Sequence, residues 1–263
     1  MPTKKKKKLK FKFKIKWKNW LKFFLLVVSI VLLVKLTIFF VNSVSDQKEI
    51  EKLNKKIYQT KITNVVDDKN TTISPPSDDT SKFDDYYEFI KLPLISVDLS
   101  IAKEINPEVK GWIEIEGTNI SYPIVMKDNY YYKSHALNNS NNKYGWIYFD
   151  NKSNLDTLEN ITIYGNKNSD DILFGELSTI FDKKYTSDSG NFIIRLYTEK
   201  STSLWQIVSA YHSRKVYQDN YITHSEYNYT DSSLNDNDKI MTLVGTGNKN
   251  IVIHAKALKI KRN

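Results

Sequence analysis

The residues best placed to do chemistry lie near the end of the chain, between Met241 and Lys256. A strand predicted over Lys239–Leu243 leads into a short turn flanked by glycines, and the β-branched run Ile251–Ile253 predicts a second strand. A small residue at the end of the first strand, here Thr246, is well placed to act as a nucleophile. A threonine hydroxyl still needs a positioned base before it attacks an amide.

Other residue types exclude several kinds of site. The chain contains no cysteine, which excludes disulfides, thiolate metal sites and thiol catalysis. The paired acids Asp67-Asp68, Asp84-Asp85 and Asp170-Asp171 lie in polar stretches typical of solvated turns. No two histidines have metal-ligand spacing, and Gly245-Thr246-Gly247 is too short for a phosphate-binding loop. We therefore expect no cofactor.

The four histidines are the candidate bases. His254 is predicted in the middle of a strand, where a structural role is favoured. His135 and His224 lie in polar stretches typical of surface loops. His212 follows a predicted strand and is the one that could approach a groove, although its spacing from any serine or threonine gives no support for a catalytic pair.

The positive charge is concentrated at the N-terminus. Residues 1–22 contain eleven lysines and no acid, so the other 28 basic residues face 30 acidic ones, a net charge of −2 against +9 for the whole chain. This distribution indicates a basic tail rather than a nucleic-acid-binding surface. The apolar run Phe23–Val44 follows, and its 22 residues, interrupted once by Lys35, are long enough to span a bilayer.

Lysines before the apolar run place the N-terminus in the cytoplasm, which predicts a single-pass cell-membrane protein with an extracellular C-terminal domain. A cleaved signal peptide is the main alternative, disfavoured by the length of the run and the lack of a small-residue cleavage site. The sequence therefore predicts a cytoplasmic basic tail (1–22), a transmembrane helix (23–44), a polar linker (45–82) and a globular domain (83–263). Within the linker, we expect a short helix near Asp46–Tyr58 followed by a flexible tether.

Short strand-like runs separated by turn residues fill most of the globular domain. They are Gly111–Ile115, Asn119–Val125, Trp146–Phe149, Asn160–Tyr164, Phe192–Tyr197, Leu204–Tyr211, Lys239–Leu243 and Ile251–Lys259. Short helices are predicted at Asp84–Ile90 and Asp98–Ile105, a helical insert at Phe174–Phe181, and a long polar connection with some helix at Ser213–Asn237. Eight strands with few helices predict a mainly β fold, a closed or nearly closed β-barrel.

Several motifs follow one another between Ile105 and Lys259. They are Asn106-Pro107-Glu108-Val109-Lys110-Gly111-Trp112-Ile113, Gly117-Thr118-Asn119-Ile120-Ser121-Tyr122-Pro123-Ile124-Val125, Gly145-Trp146-Ile147-Tyr148-Phe149-Asp150, and Ile163-Tyr164-Gly165-Asn166 followed by Phe174-Gly175-Glu176-Leu177. Their order and spacing resemble those of the class B sortases of Gram-positive cell surfaces. The resemblance implies a sortase-type eight-stranded β-barrel with N-terminal helices and a helical insert, preceded by one transmembrane helix.

The same resemblance locates three catalytic positions, and none carries the family's residue. In class B sortases a cysteine thiolate attacks the carbonyl of a sorting signal, a histidine handles the proton of the leaving amine, and an arginine stabilises the oxyanion or positions the substrate. Thr246 stands at the cysteine position, Asn166 at the histidine position and Asn250 at the arginine position. Asparagine neither takes up a proton near neutral pH nor carries charge. The chain therefore resembles a degenerate member of the family.

Three functions remain open. The first is a membrane-anchored, catalytically inactive pseudo-sortase that binds a sorting-signal-like peptide or another cell-surface protein. The second is a cysteine-free hydrolase or transpeptidase that acts on sorting-signal peptides with a hydroxyl nucleophile. The third is a folded remnant without a maintained role. Tyrosines at Tyr130–Tyr132 and Tyr221–Tyr229 are candidates to line a peptide groove, and nucleic acid is not an expected partner.

Overall fold

Eight strands pair in a ring without a free edge. The computed structural model describes residues 17–75, 84–216, 227–228 and 238–263. In these residues the strands are β1 (Ile62–Val65), β2 (Thr71–Ile73), β3 (Leu94–Val97), β4 (Val109–Ile115), β5 (Ser121–Val125), β6 (Tyr148–Phe149), β7 (Ile161–Asn166), β8 (Ile193–Thr198), β9 (Ser201–Ser213), β10 (Tyr227–Asn228), β11 (Ile240–Thr246) and β12 (Asn250–Arg262). The ring order is β4-β5-β6-β7-β11-β12-β9-β8, closed by pairing of β8 with β4. The predicted mainly β barrel is confirmed.

Each predicted strand corresponds to one strand of the ring, with ends shifted by a few residues. The pairs β5–β6 and β7–β11 are parallel, and the other pairs of the ring are antiparallel. In β7, buried Ile161, Ile163 and Gly165 alternate with half-buried Thr162 and Tyr164, as expected when one face of a strand meets a core. Closure stabilises the sheet because no unpaired edge is left exposed.

The helices lie at the start of the chain and around the barrel. They are α1 (Trp17–Ile57), α2 (Asp84–Phe89), α3 (Ser100–Ile105) and α4 (Lys183–Thr186), with 3₁₀ segments at Tyr131–Lys133, Leu173–Phe181 and Ser189–Phe192. The predicted helical insert is confirmed at Leu173–Phe181 and takes the tighter 3₁₀ form. Of the predicted long connection at Ser213–Asn237, only 213–216 and the short strand β10 are described.

The first helix is one element where the sequence predicted two. Helix α1 runs through both the apolar stretch and the predicted short helix near Asp46–Tyr58. By contacts, the chain divides into Met1–Ser45 and Asp46–Asn263. In the first unit, the apolar window of the helix is long and apolar enough to cross a membrane, and none of it is buried. In the second, Ile50, Leu53 and Ile57 repeat at helical spacing and are buried against the domain.

The interval predicted as a polar linker, 45–82, contains structured parts of the domain. Strand β1 pairs antiparallel with β3, and β2 pairs antiparallel with β12 outside the ring. The expected flexible tether is therefore wrong for 62–73. The polar composition of this stretch gives little indication of strands, which form because their backbones pair with strands elsewhere in the domain. Residues 76–82 lie outside the described part of the chain.

A buried lysine of the barrel forms hydrogen bonds to the segment between β1 and β2. Lys259, in β12, is fully buried, and its Nζ donates to Asp67 Oδ2 at 2.8 Å and to the carbonyl oxygens of Ile90 and Leu92 at 2.9 and 2.8 Å. The three donors of the ammonium are thus matched by three acceptors, which offsets the cost of removing the charge from water.

Replacing Lys259 tests how much these hydrogen bonds stabilise the fold. We expect Lys259→Met to lower the free energy of unfolding by about 3 kcal/mol, because it leaves a carboxylate and two carbonyls without their shared donor. The measurement is chemical denaturation of the full chain in detergent. The matched control is Lys200→Met, which removes an exposed lysine paired with Asp156 and should cost less than about 1 kcal/mol. Equal losses for the two variants would contradict the assignment.

Candidate functional site

The parallel pairing of β7 with β11 places two of the three predicted site residues side by side. Asn166 and Thr246 are the last residues of their strands and are opposite one another in the register. The Thr246 hydroxyl donates to Asn166 Oδ1 at 3.1 Å and to the Gly165 carbonyl at 3.2 Å. Both side chains are half-buried. The two side chains are therefore in direct contact.

The third residue, Asn250, lies at the other end of the turn. It begins β12, and its Oδ1 accepts a hydrogen bond from Gly247 N at 3.1 Å. The side chain thus closes the turn that Gly247, Asn248 and Lys249 make between β11 and β12. The Asn250 side chain is a neutral amide, so it stabilises the turn without adding positive charge.

A neighbouring loop holds Asn166 in place. Its Nδ2 donates to the Lys133 carbonyl at 2.7 Å and to the Lys143 carbonyl at 3.4 Å. Gly145 lets this loop close, because its φ of +63° suits glycine and a Cβ there would lie 2.3 Å from the Tyr132 carbonyl oxygen. With its amide nitrogen and oxygen both engaged, Asn166 has a defined orientation.

The opposite side of the site is packed by the 3₁₀ segment Leu173–Phe181. A Cβ on Gly165 would lie 2.7 Å from the ring of Phe174, and one on Gly245 would lie 3.4 Å from Leu177 Cδ1. Gly165 therefore lets Phe174 approach the end of β7. The motif Phe174-Gly175-Glu176-Leu177 supports the strand ends rather than supplying reactive groups.

The sequence did not point to Asn168, which shapes the loop after β7. Its Oδ1 accepts from Asp170 N and Ile172 N, both at 3.1 Å, and its Nδ2 donates to the Ile172 carbonyl at 2.7 Å. The available signal was the asparagine itself, because an Asn side chain commonly accepts from the backbone N–H two residues further on. Tyr144 donates to Asp170, and this hydrogen bond lowers the pKa of that carboxyl.

None of the described histidines bonds to Thr246. His135 stacks on Tyr131 with ring centroids 4.0 Å apart, and its Nδ1 is 2.8 Å from the Tyr131 carbonyl. The ring of His212 packs on Phe181, with centroids 4.3 Å apart. His224 lies outside the described residues. In the described part of the chain, the acceptors for the Thr246 hydroxyl are therefore an amide and a peptide carbonyl, neither of which takes up a proton near neutral pH.

His254 has the structural role predicted for it. The ring is fully buried, with Nε2 3.0 Å from the Tyr211 hydroxyl and Nδ1 3.0 Å from the Thr242 hydroxyl. Burial lowers the pKa of His254 to about 3, so the imidazole is neutral in the folded protein at any pH near 7.

Acid should therefore destabilise the fold through His254. The unfolded imidazole binds a proton below about pH 6.5 while the folded one stays neutral, so the free energy of unfolding falls as the pH drops. Between pH 7 and pH 5 this one group should cost about 2 kcal/mol, measured by chemical denaturation at each pH. In His254→Gln, which keeps polar atoms for both hydroxyls, the loss over the same interval should be smaller. An unchanged pH dependence in that variant would contradict the assignment.

The contact between Asn166 and Thr246 can be tested by introducing the missing pair. In Thr246→Cys/Asn166→His the imidazolium should lower the pKa of the only thiol in the chain, and reaction with a methanethiosulfonate reagent at pH 6 should be about fivefold faster or more than in Thr246→Cys alone. The matched control is Thr246→Cys/Asn166→Gln, which should react at the rate of the single variant. Equal rates for all three would show that the two side chains are not in contact.

Comparison with known proteins gives one consistent result. No protein-family model matches the chain. Sortase B of Listeria monocytogenes is 33% identical over 90 residues, which are 34% of this chain and 37% of that protein. Sortase B of Staphylococcus aureus is 26% identical over 183 residues, which are 60% of this chain and 73% of that protein. The chain thus spans little more than a third of the first relative and most of the second.

Solved structures extend the likeness to the fold. A cysteine-to-serine mutant form of Clostridium perfringens sortase B is 30% identical, with a TM-score of 0.52, and the match covers 59% of this chain and 84% of that one. Bacillus anthracis sortase B in complex with AAEK1 is 19% identical with a TM-score of 0.61 and covers 84% of this chain and 99% of that one, which supports the fold alone. By fold and sequence, this cysteine-free chain belongs to the class B sortase family.

Proposed function

We propose that this chain is a membrane-anchored, catalytically inactive class B sortase-like protein that binds a peptide or protein partner at the cell surface. In this proposal Thr246, Asn166 and Asn250 occupy the positions of the family's cysteine, histidine and arginine. The site keeps its scaffold and has lost the groups that break an amide bond.

The hydrogen bond from Thr246 to Asn166 is the observation that carries the proposal. Acyl transfer by a hydroxyl needs a base that removes its proton, and the Asn166 amide oxygen at 3.1 Å cannot do so. The family's thiol can ionise near neutral pH, whereas a hydroxyl without a base stays protonated. With an uncharged amide at position 250, the Asn250 side chain also supplies no cation to stabilise an oxyanion.

Binding needs less than catalysis, and the polar groups at the strand ends support a binding role. The ends of three neighbouring strands present half-buried polar side chains, and in the described residues Asn250 Nδ2 has no hydrogen-bond partner. Such an amide can donate to the carbonyl of an extended peptide. In the loop whose Lys133 carbonyl accepts from Asn166, Tyr130 is 76% exposed, with Lys133 Nζ 4.9 Å from its ring centroid, which offers an apolar and cationic contact.

Membrane anchoring in the proposal depends on α1 and on the residues before it. The apolar part of the helix is long enough to cross a bilayer, and eleven lysines precede it in the sequence. By the positive-inside rule, the basic end stays in the cytoplasm and the barrel faces the outside, where the cell wall and other surface proteins are the available partners.

The test measures turnover and binding with the same peptide. The full chain in detergent should not cleave or transfer an internally quenched peptide that a class B sortase cleaves, with that enzyme as the positive control. Fluorescence anisotropy should detect binding of the same peptide. Gly247→Trp should abolish binding, because a Cβ at Gly247 meets only ordinary contacts, at 3.5 and 3.6 Å, and the indole can then occupy the space beside Thr246.

The control for this variant is Asn151→Trp, which adds the same indole on an exposed turn and should leave binding unchanged. Turnover by the wild-type chain that is lost in Thr246→Ala would overturn the proposal in favour of a hydroxyl nucleophile. Absence of both turnover and binding would favour a folded remnant without a maintained role.

A further inference from the structure

Three lysines adjoin the site residues. Lys133 is exposed, and its carbonyl oxygen accepts from Asn166 Nδ2 at 2.7 Å. Lys167 is half-buried, and its backbone N–H donates to the Thr246 carbonyl at 2.9 Å. Lys249 is exposed in the turn between β11 and β12. Each of the three is therefore held at the site by the backbone.

The side chain of Lys167 lies along this turn. A Cβ built on Gly247 would lie 3.6 Å from Lys167 Cβ and 3.7 Å from its Cδ. The aliphatic stem thus packs against the turn that follows Thr246. A lysine whose stem packs in this way keeps its ammonium in water, so a ligand that reaches the turn can contact that charge.

In the described part of the chain, none of these three lysines forms an ion pair. Other lysines of the neighbouring loop do so. Lys127 Nζ is 3.2 Å from Glu108 Oε1, and Lys143 Nζ is 3.7 Å from Asp170 Oδ2. The site therefore has three cations whose charge no described carboxylate neutralises by direct contact.

The segments that contact the site are basic, whereas the rest of the chain beyond the N-terminal tail is acidic. Residues 127–145, 166–171 and 246–250 contain five lysines and three aspartates, a net charge of +2, while residues 23–263 as a whole have a net charge of −2. The local charge therefore favours an anionic ligand.

The hydrogen-bonding groups of the site favour the same class of ligand. The side-chain oxygens of Asn166 and Asn250 already accept from the Thr246 hydroxyl and from Gly247 N. In the described residues, Asn250 Nδ2 has no acceptor, and the three ammonium groups add further donors. A ligand that complements this excess of donors is rich in acceptors, and in a peptide the carboxylates are the acceptors that also carry the opposite charge.

We propose that the peptide bound at this site is acidic, with Asp or Glu side chains beside the segment that contacts Asn250. This inference rests on the proposed function, because it specifies the partner of the same site. The carboxylates bind the ammonium groups of Lys133, Lys167 and Lys249. A peptide is favoured over a phosphate polymer because the Asn250 amide and the exposed Tyr130 ring offer contacts to a peptide carbonyl and an apolar side chain in addition to charge.

Fluorescence anisotropy with two matched peptides tests the preference for acidic residues. Both contain the sequence of the peptide used in the binding test above, extended at both ends by Glu-Asp in one and by Gln-Asn in the other. At low salt the full chain in detergent should bind the acidic peptide about tenfold more tightly. In about 0.5 M NaCl the difference should fall below about threefold, because salt screens interactions between exposed charges.

Neutralising the lysines locates the binding. In Lys133→Gln/Lys167→Gln/Lys249→Gln the two peptides should bind with equal affinity, because the charges opposite the carboxylates are removed. Circular dichroism checks that the triple variant is folded. Lys249→Glu changes one exposed residue, so it tests the proposal without that risk. It should reduce the preference for the acidic peptide more than Lys249→Gln does, because it adds repulsion.

The matched control is Lys55→Gln/Lys56→Gln/Lys152→Gln, which removes three exposed lysines outside the basic segments and changes the net charge by the same amount. The preference for the acidic peptide should be unchanged in this variant. An equal loss in the control and in the triple site variant would contradict the assignment to the site lysines.

The outcomes separate this inference from the proposed function. If the wild-type chain binds both peptides with equal affinity, the acidic partner is wrong and the binding function stands. If neither peptide binds, or if the chain shows turnover that Thr246→Ala abolishes, the proposed function is itself wrong. Inorganic polyphosphate that displaces the acidic peptide and binds as tightly would overturn the assignment to a peptide.

Discussion

The parallel pairing of β7 with β11 is the constraint on which the site depends. Because the two strands end together, their last residues, Asn166 and Thr246, are within hydrogen-bond reach. The same register would set a base beside a nucleophile if the side chains allowed it. Here the register connects a hydroxyl to an amide oxygen, which does not take up a proton near neutral pH.

The surrounding structure keeps this geometry without help from reactive groups. Asn166 is held by backbone carbonyls of the loop that Gly145 closes, and Asn250 caps the turn between β11 and β12 through Gly247. Amide side chains suit such positions because they donate and accept at once and bear no charge to desolvate. Uncharged amides at these positions are therefore compatible with a stable fold.

Buried polar groups divide into two kinds in this protein. Lys259 and His254 are fully buried, and each has hydrogen-bond partners for its polar atoms, so both are accounted for by the fold. Asn54 Oδ1, Thr60 Oγ1 and Thr202 Oγ1 are buried without a hydrogen-bond partner among the described residues.

The sequence by itself determined the barrel, because each of the eight strands carries a local run of apolar or β-branched residues bounded by turn residues. The family followed from the resemblance of the ordered motifs between Ile105 and Lys259. It also established the absence of a thiol and the apolar character of the N-terminal helix. Only the tertiary structure decided that 62–73 belongs to the domain, because its strands are defined by distant partners in β3 and β12. The same holds for the hydrogen bond between Asn166 and Thr246, eighty residues apart along the chain, because contacts between distant segments leave no local pattern in a sequence.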